Sequence, residues 1–227
     1  LLDVEVVAVV PADHEPEVLH RRVGSGARAH GDSGRAAEHA QETAVARRLA
    51  VVRGEPGDVA GGRAATERLI SAGRKRIALI NGQEGLDNPR DRLRGYKQAL
   101  ASNDLSYDPD LVHYGNWEPP SGYEKTHALM KLKDPPDGIF CANDLMALGC
   151  IEALNELGKS VPEDVSVVGF DNRDIAQFTM PPLTTFHLPM FEMGVMAVEL
   201  LSDMAGGLTS NHDQLKVECR LVARSSA

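Results

Sequence analysis

Between Pro136 and Gly194 the chain twice repeats one pattern, a short apolar run that stops at a carboxylate and an amide. The first run, residues 138–142 (Gly-Ile-Phe-Cys-Ala), stops at Asn143 and Asp144. The second, residues 165–170 (Val-Ser-Val-Val-Gly-Phe), stops at Asp171 and Asn172. A helical stretch to Leu157 and a Pro162-bearing turn at 161–164 separate them. Strands buried on both faces read as such continuous apolar runs and belong to parallel sheets. The polar residues that close each run then lie at the carboxyl ends of strands, where open α/β sheets bind ligands.

The rest of the chain carries the same alternation. Residues 4–10 read as a Val-rich strand closed by Pro11, and residues 15–23 as a short helix. A helix is predicted over 60–72, with Gly73 as its stop. A strand follows at 76–80, then a Gly-bearing loop at 81–88. Pro89 suits the first turn of a helix running to about Ala101. Residues 111–114 read as a strand, 121–132 and 190–204 as helices, and 215–222 alternate into a terminal strand. From residue 60 to 185 strands and helices alternate, which predicts a doubly wound α/β fold.

Composition narrows the function classes. A formal charge of −9 argues against this piece gripping DNA by itself, because phosphate binding needs clustered Lys and Arg. Arg21-Arg22 and Arg74-Lys75-Arg76 are short clusters read as solvated surface. Cys141, Cys150 and Cys219 form no Cys-x-x-Cys pair, and their odd number closes no disulfide framework. Cys141 and Cys150 fall in apolar patterns and read as core residues of a protein in a reducing cytoplasm. No apolar run approaches a membrane span, and Leu1-Leu2-Asp3-Val4-Glu5 lacks the basic start of a signal peptide.

Four polar or aromatic residues stand out, each with two readings. Asp171 either accepts hydrogen bonds from ligand hydroxyls or caps a short helix near Asp174. Asn143 either meets a ligand or caps the helix that follows it, while Asp144 reads as structural. Arg92 is either a solvated helix arginine or, near the start of a helix that follows a strand-end loop, a fork for two ligand oxygens. Arg90 and Arg94 read as surface. Trp117, the one tryptophan, is either core or, in a turn after a strand, a face for a sugar ring. Phe178, Met190 and Met193 are candidate apolar walls, the methionines being equally at home in a helix core. No Gly-x-Ser-x-Gly elbow, phosphate loop ending in Lys-Ser/Thr or His-Glu-x-x-His motif is present, so no enzyme, metal or cofactor is expected.

The blocks Pro-Pro-Asp-Gly-Ile-Phe-Cys-Ala-Asn-Asp-Leu-Met-Ala-Leu-Gly, Val-Pro-Glu-Asp-Val-Ser-Val-Val-Gly-Phe-Asp-Asn and Pro-Pro-Leu-Thr-Thr-Phe-His-Leu-Pro-Met-Phe-Glu-Met-Gly come in this order with these spacings. They resemble the effector-binding core of the lactose/galactose-repressor (LacI/GalR) family of bacterial transcription regulators. The resemblance implies two doubly wound lobes joined by three crossovers, with a ligand in the cleft, the architecture of periplasmic binding proteins. Residues 1–82 and 186–205 would form one lobe, and 83–185 with 206–227 the other. It implies that Asp171, Asn143, Arg92 and Trp117 meet a small sugar or related polyol, with Phe178 and Met190 beside them. It further implies a cytoplasmic homodimer whose operator DNA is bound by a helix-turn-helix headpiece not present in this chain. An effector would then change operator affinity.

Two parts depart from that pattern. The chain begins at what resembles the third strand of the first lobe. Residues 24–57 are an Ala-Arg-Gly-rich stretch with only residues 49–52 resembling a strand, and they read as an out-of-frame or misassigned segment. The rival readings are a periplasmic sugar-binding protein of the same fold, which should carry a signal peptide, and an enzyme, which fold alone never excludes.

Overall fold

The computed structural model describes residues 3–5, 56–205 and 216–227. The helix expected at 15–23, most of the strand at 4–10 and the anomalous segment at 24–57 lie outside the described residues. Strand β1 (Asp3–Glu5) is followed by helix α1 (Pro56–Ser71), β2 (Ile77–Asn81), α2 (Asp87–Ser102), β3 (Val112–Tyr114), α3 (Pro119–Met130), β4 (Gly138–Cys141), α4 (Asp144–Glu156), β5 (Ser166–Val168), β6 (Thr185–His187), α5 (Met190–Ala205), β7 (Lys216–Glu218) and β8 (Arg220–Val222). Short 3-10 turns at Pro109–Leu111 and Asp174–Gln177 complete the set.

Strands β3, β2, β4 and β5 form one parallel sheet in that order. The chain leaves β2 in one direction for β3, crosses back to β4, and continues outward to β5. The reversal places a topological switch point between β2 and β4, the place at which open α/β sheets bind ligands. Successive side chains point to opposite faces of a strand, and the two faces are filled by different helices. Ala78, Ile80, Ile139, Cys141 and Val167 pack with Leu129, Met146, Cys150 and Leu154 of α3 and α4. Ile77, Leu79, Phe140 and Val168 pack with Ala65, Leu69, Tyr96 and Leu100 of α1 and α2. Cys141, Cys150 and Cys219 are buried free thiols. No helix among the described residues is long and apolar enough to cross a membrane.

Gly73 takes a φ of +88° just past α1, with its N–H on Ile70 O and that of Arg74 on Leu69 O. These are the two closing bonds of a helix end that favours glycine. Helices α1, α2 and α3 begin two to four residues before their expected starts at 60, 89 and 121, because prolines and acidic residues fill their first turns. The alternation at 215–222 conceals a break. Its described part is two strands separated at Cys219, β7 pairing with β1 and β8 with β6, both antiparallel. Alternation reports which face a side chain takes, and says nothing of the partner strand. The basic cluster at 74–76 is also less solvated than its composition implies. Arg74 bonds Ser166 Oγ at 2.9 Å, and Arg76 pairs with Asp108 at 2.8 Å, so both tie the amino-terminal end of the sheet to its loops.

Candidate functional site

Of the residues singled out in the sequence, Arg92, Trp117, Asn143 and Asp171 lie beyond the carboxyl ends of the strands. Asn81 ends β2, and its amide donates to Pro89 O at 2.8 Å, tying the strand end to the first turn of α2. Three residues on, Arg92 is 5% exposed, which excludes the solvated reading. Its Nε donates to Asp58 Oδ1 at 2.7 Å, and its Nη1 donates to the carbonyl of Ala142 at the end of β4. The guanidinium lies 4.3 Å from the ring centre of Phe170 and 5.6 Å from that of Trp117. Cations over aromatic faces are attracted by the ring quadrupole, so two rings and two acceptors fix this side chain. Nη2 makes no hydrogen bond among the described residues.

Trp117 sits at a φ of +71° in the turn after β3. Its indole covers Gly82, where a Cβ would come within 2.0 Å of the ring carbons. The side-chain amide of Asn143 donates to Trp117 O at 2.9 Å, while Asn143 Oδ1 accepts from Met146 N at 2.8 Å. Asn143 is therefore the cap of α4 and the brace of the tryptophan turn at once.

Asp171 does not cap the turn at Asp174–Gln177, whose N-cap is Arg173 without a side-chain bond. Its backbone holds a φ of +103°, with its N–H on Phe186 O and its carbonyl accepting from Leu188 N. Its carboxylate has no hydrogen-bond partner among the described residues. Burial pushes its pKa up to about 6, opposed by Arg92 and Arg173 and reinforced by Asp58. An acid in such surroundings, next to an arginine whose Nη2 has no bond among the described residues, is a functional-site candidate with a physical cause. Asp144 beside it is fully buried and holds structure, accepting from Thr185 Oγ1 at 2.6 Å and Arg173 N at 2.7 Å. Burial pushes it up to about 7 against those two bonds.

Phe178 and Met190 stand apart from this buried set, 72% and 67% exposed, while Met193 packs against the core on the α1–α2 side. Sequence reasoning missed three contributors. Phe170 lies beneath the guanidinium, Gly82 admits the indole, and Asp58 completes the Arg92 fork. Asp58 was legible as a first-turn acid after Pro56-Gly57, had the helix been started there. Phe170 reads only as the last apolar residue of a strand. No group of three or more His, Cys, Asp or Glu among the described residues could hold a metal ion.

Comparisons with known proteins agree with this geometry. Residues 66–227 match the model of the periplasmic binding protein-like domain. The HTH-type transcriptional repressor PurR of Histophilus somni (strain 129Pt) is 37% identical over 166 residues, 73% of this chain and 50% of that protein. The HTH-type transcriptional regulator CelR of Thermobifida fusca is 38% identical over 169 residues, 74% of this chain and 50% of that protein. The solved complex of transcriptional regulator CelR with cellobiose superposes with a TM-score of 0.71 at 38% identity, covering 75% of this chain and 52% of that one. The chain thus spans about half the length of the curated relatives it matches. These relatives are regulators of transcription, neither enzymes nor transport proteins. With a family model matching residues 66–227, regulators 37–38% identical over about three quarters of the chain and a superposing parallel sheet, the chain belongs to the LacI/GalR family and carries that family's periplasmic-binding-protein-like domain.

Proposed function

We propose that this chain is the effector-binding part of a ligand-responsive transcription regulator, and that its effector is an uncharged sugar or related polyol. One observation carries the ligand class. Asp171 offers a carboxylate with no hydrogen-bond donor among the described residues, while Arg92 donates from Nε to Asp58 and from Nη1 to Ala142. Nη2 carries two N–H groups that make no hydrogen bond among the described residues, and the Asp171 carboxylate beside them repels an anionic ligand. A hydroxyl can accept from Nη2 and donate to Asp171, and a ring can lie against Trp117. The complex of CelR with cellobiose supports a sugar as the first probe.

In this reading the lobe built on the β3-β2-β4-β5 sheet includes α1 and β2, although the resemblance assigns residues 1–82 to the other lobe, and Phe178 and Met190 wall the cleft. Ligand binding shifts the lobes of a cytoplasmic homodimer, and with them a helix-turn-helix headpiece outside this chain that holds operator DNA. Such a device needs two states with different ligand affinities.

Calorimetric titration with cellobiose and a panel of mono- and disaccharides tests the reading. For the best ligand, Asp171→Ala should weaken binding at least about tenfold, since a hydrogen bond to a charged group contributes roughly 1.5–3 kcal/mol. Unchanged affinity in that variant would return Asp171 to a purely structural place.

The pH dependence has a definite sign. The pKa of Asp171 is raised to about 6, so the empty site takes up a proton as pH falls through 6. A protonated acid offers poorer acceptance to a ligand hydroxyl, and binding must first expel the proton. Affinity should therefore be level above about pH 7 and fall toward tenfold per pH unit below about 6. Asp171→Asn should be weak at every pH and level across the range. A wild-type profile flat down to pH 5 would oppose this.

A further inference from the structure

We propose that Asp144 is the positioning residue of this site: it never meets the ligand, but clamps the turn that carries Asp171. The inference rests on the reading of Asp171 as the ligand's acceptor. Asp171 and Asn172 have φ values of +103° and +55°, a region that residues with a Cβ resist. Such conformations persist only where the surroundings over-determine them. The surroundings here lead to one side chain. The N–H of Arg173 donates to Asp144 Oδ2 at 2.7 Å. The N–H of Asn172 reaches Thr185 Oγ1 at 3.4 Å, and that hydroxyl donates onward to Asp144 Oδ1 at 2.6 Å. On the other side of the turn, the N–H of Asp144 itself donates to Phe170 O at 2.9 Å.

Of these two successive backbone N–H groups, that of Arg173 reaches the Asp144 carboxyl directly and that of Asn172 reaches it through the Thr185 hydroxyl. Asp144 brackets the strained pair from both sides, joining the first turn of α4 to the start of β6. The helix needs none of this from Asp144. Its cap is Asn143, and a first-turn acid favours the helix dipole without reaching across to residues 173 and 185. The side chain is fully buried, so it serves the turn and not solvent.

The test needs no ligand. Amide hydrogen exchange and carboxyl titration are followed by NMR in the full chain, in Asp144→Asn and in Thr185→Val. The amides of Asp171 and Leu188 are the reporters, because they bond Phe186 O and Asp171 O and not Asp144. Both should exchange at least about tenfold faster in each variant, as local opening of the turn becomes easier. The amide of Ala142, bonded to Ile80 O, should keep its wild-type rate. The titration midpoint of Asp171 should move from about 6 toward the ordinary carboxylate range as its carboxyl meets water. Thr185→Val leaves the charge of Asp144 in place, so a moved midpoint there reports position and not lost charge. It also serves if Asp144→Asn does not fold. Wild-type exchange and midpoint in Thr185→Val, or exchange raised equally at Ala142, would overturn the proposal. The sugar-binding reading stands or falls separately, on the affinity of Asp171→Ala.

Discussion

Arg92→Met should lower the thermal midpoint by about 6–12 °C and abolish measurable sugar binding. The methionine keeps the stem but removes every charge-assisted contact. Asp58 loses its arginine partner, Ala142 O loses a donor, and Phe170 and Trp117 lose the group between them. Breaking a buried pair by removing one partner costs about 3–5 kcal/mol. The Asp58 side chain is 32% exposed and can recover water, which sets the cost near the lower end. In a chain of this size each kcal/mol moves the midpoint by about 2–4 °C. Scanning calorimetry with and without the best sugar measures both effects. A midpoint within about 2 °C of wild type would mean that Arg92 contributes little beyond its stem.

Gly95→Val should be comparably severe, although Gly95 touches no ligand. Helices α1 and α2 cross at reciprocal glycines. A Cβ on Gly95 would lie 2.0 Å from Val59 O and 2.6 Å from Arg63 N, and one on Gly62 would lie 2.4 Å from Arg92 O. These neighbours are backbone and cannot rotate aside, so the helices must separate. Overpacking costs typically 1–3 kcal/mol and occasionally more; two backbone clashes place Gly95→Val at about 3 kcal/mol or above. Asp58 and Arg92 ride on these same two helices, so separation also stretches their 2.7 Å bond and should weaken sugar binding. Gly194 is the control. Among the described residues a Cβ there meets nothing within 4 Å, and Gly194→Ala should stabilise α5 by roughly 0.5–1 kcal/mol. Denaturant unfolding of the two variants decides the matter. Equal stability of Gly95→Val and wild type would show that the helices can separate freely.

Much of the fold could be read before any coordinates. The apolar runs at 138–142 and 165–170 identify strands buried on both faces, and β4 and β5 fall within them. Gly73 marks the end of α1 because only glycine takes a φ near +88° without resistance. The residues after each run had to lie at one edge of the sheet, which is why Asn143 and Asp171 were candidates at all. Local spacing determines these features, since periodicity and turn chemistry act between near neighbours.

What the spacing left open was where each candidate side chain sits and what it bonds, and only tertiary structure decided that. Arg92 looks the same in sequence whether solvated or buried. Its fate depends on Asp58, 34 residues earlier, and Ala142, 50 residues later. Asn143 proved to be a cap and a brace, because Trp117 O happens to lie within 2.9 Å of its amide. Asp171 proved not to be a cap, because its φ of +103° turns the backbone toward β6. The pairing of β7 and β8 with different strands was equally invisible. Burial, hydrogen-bond partners and shifted pKa values arise from groups far apart in the chain, and their meeting is a property of the packed fold alone.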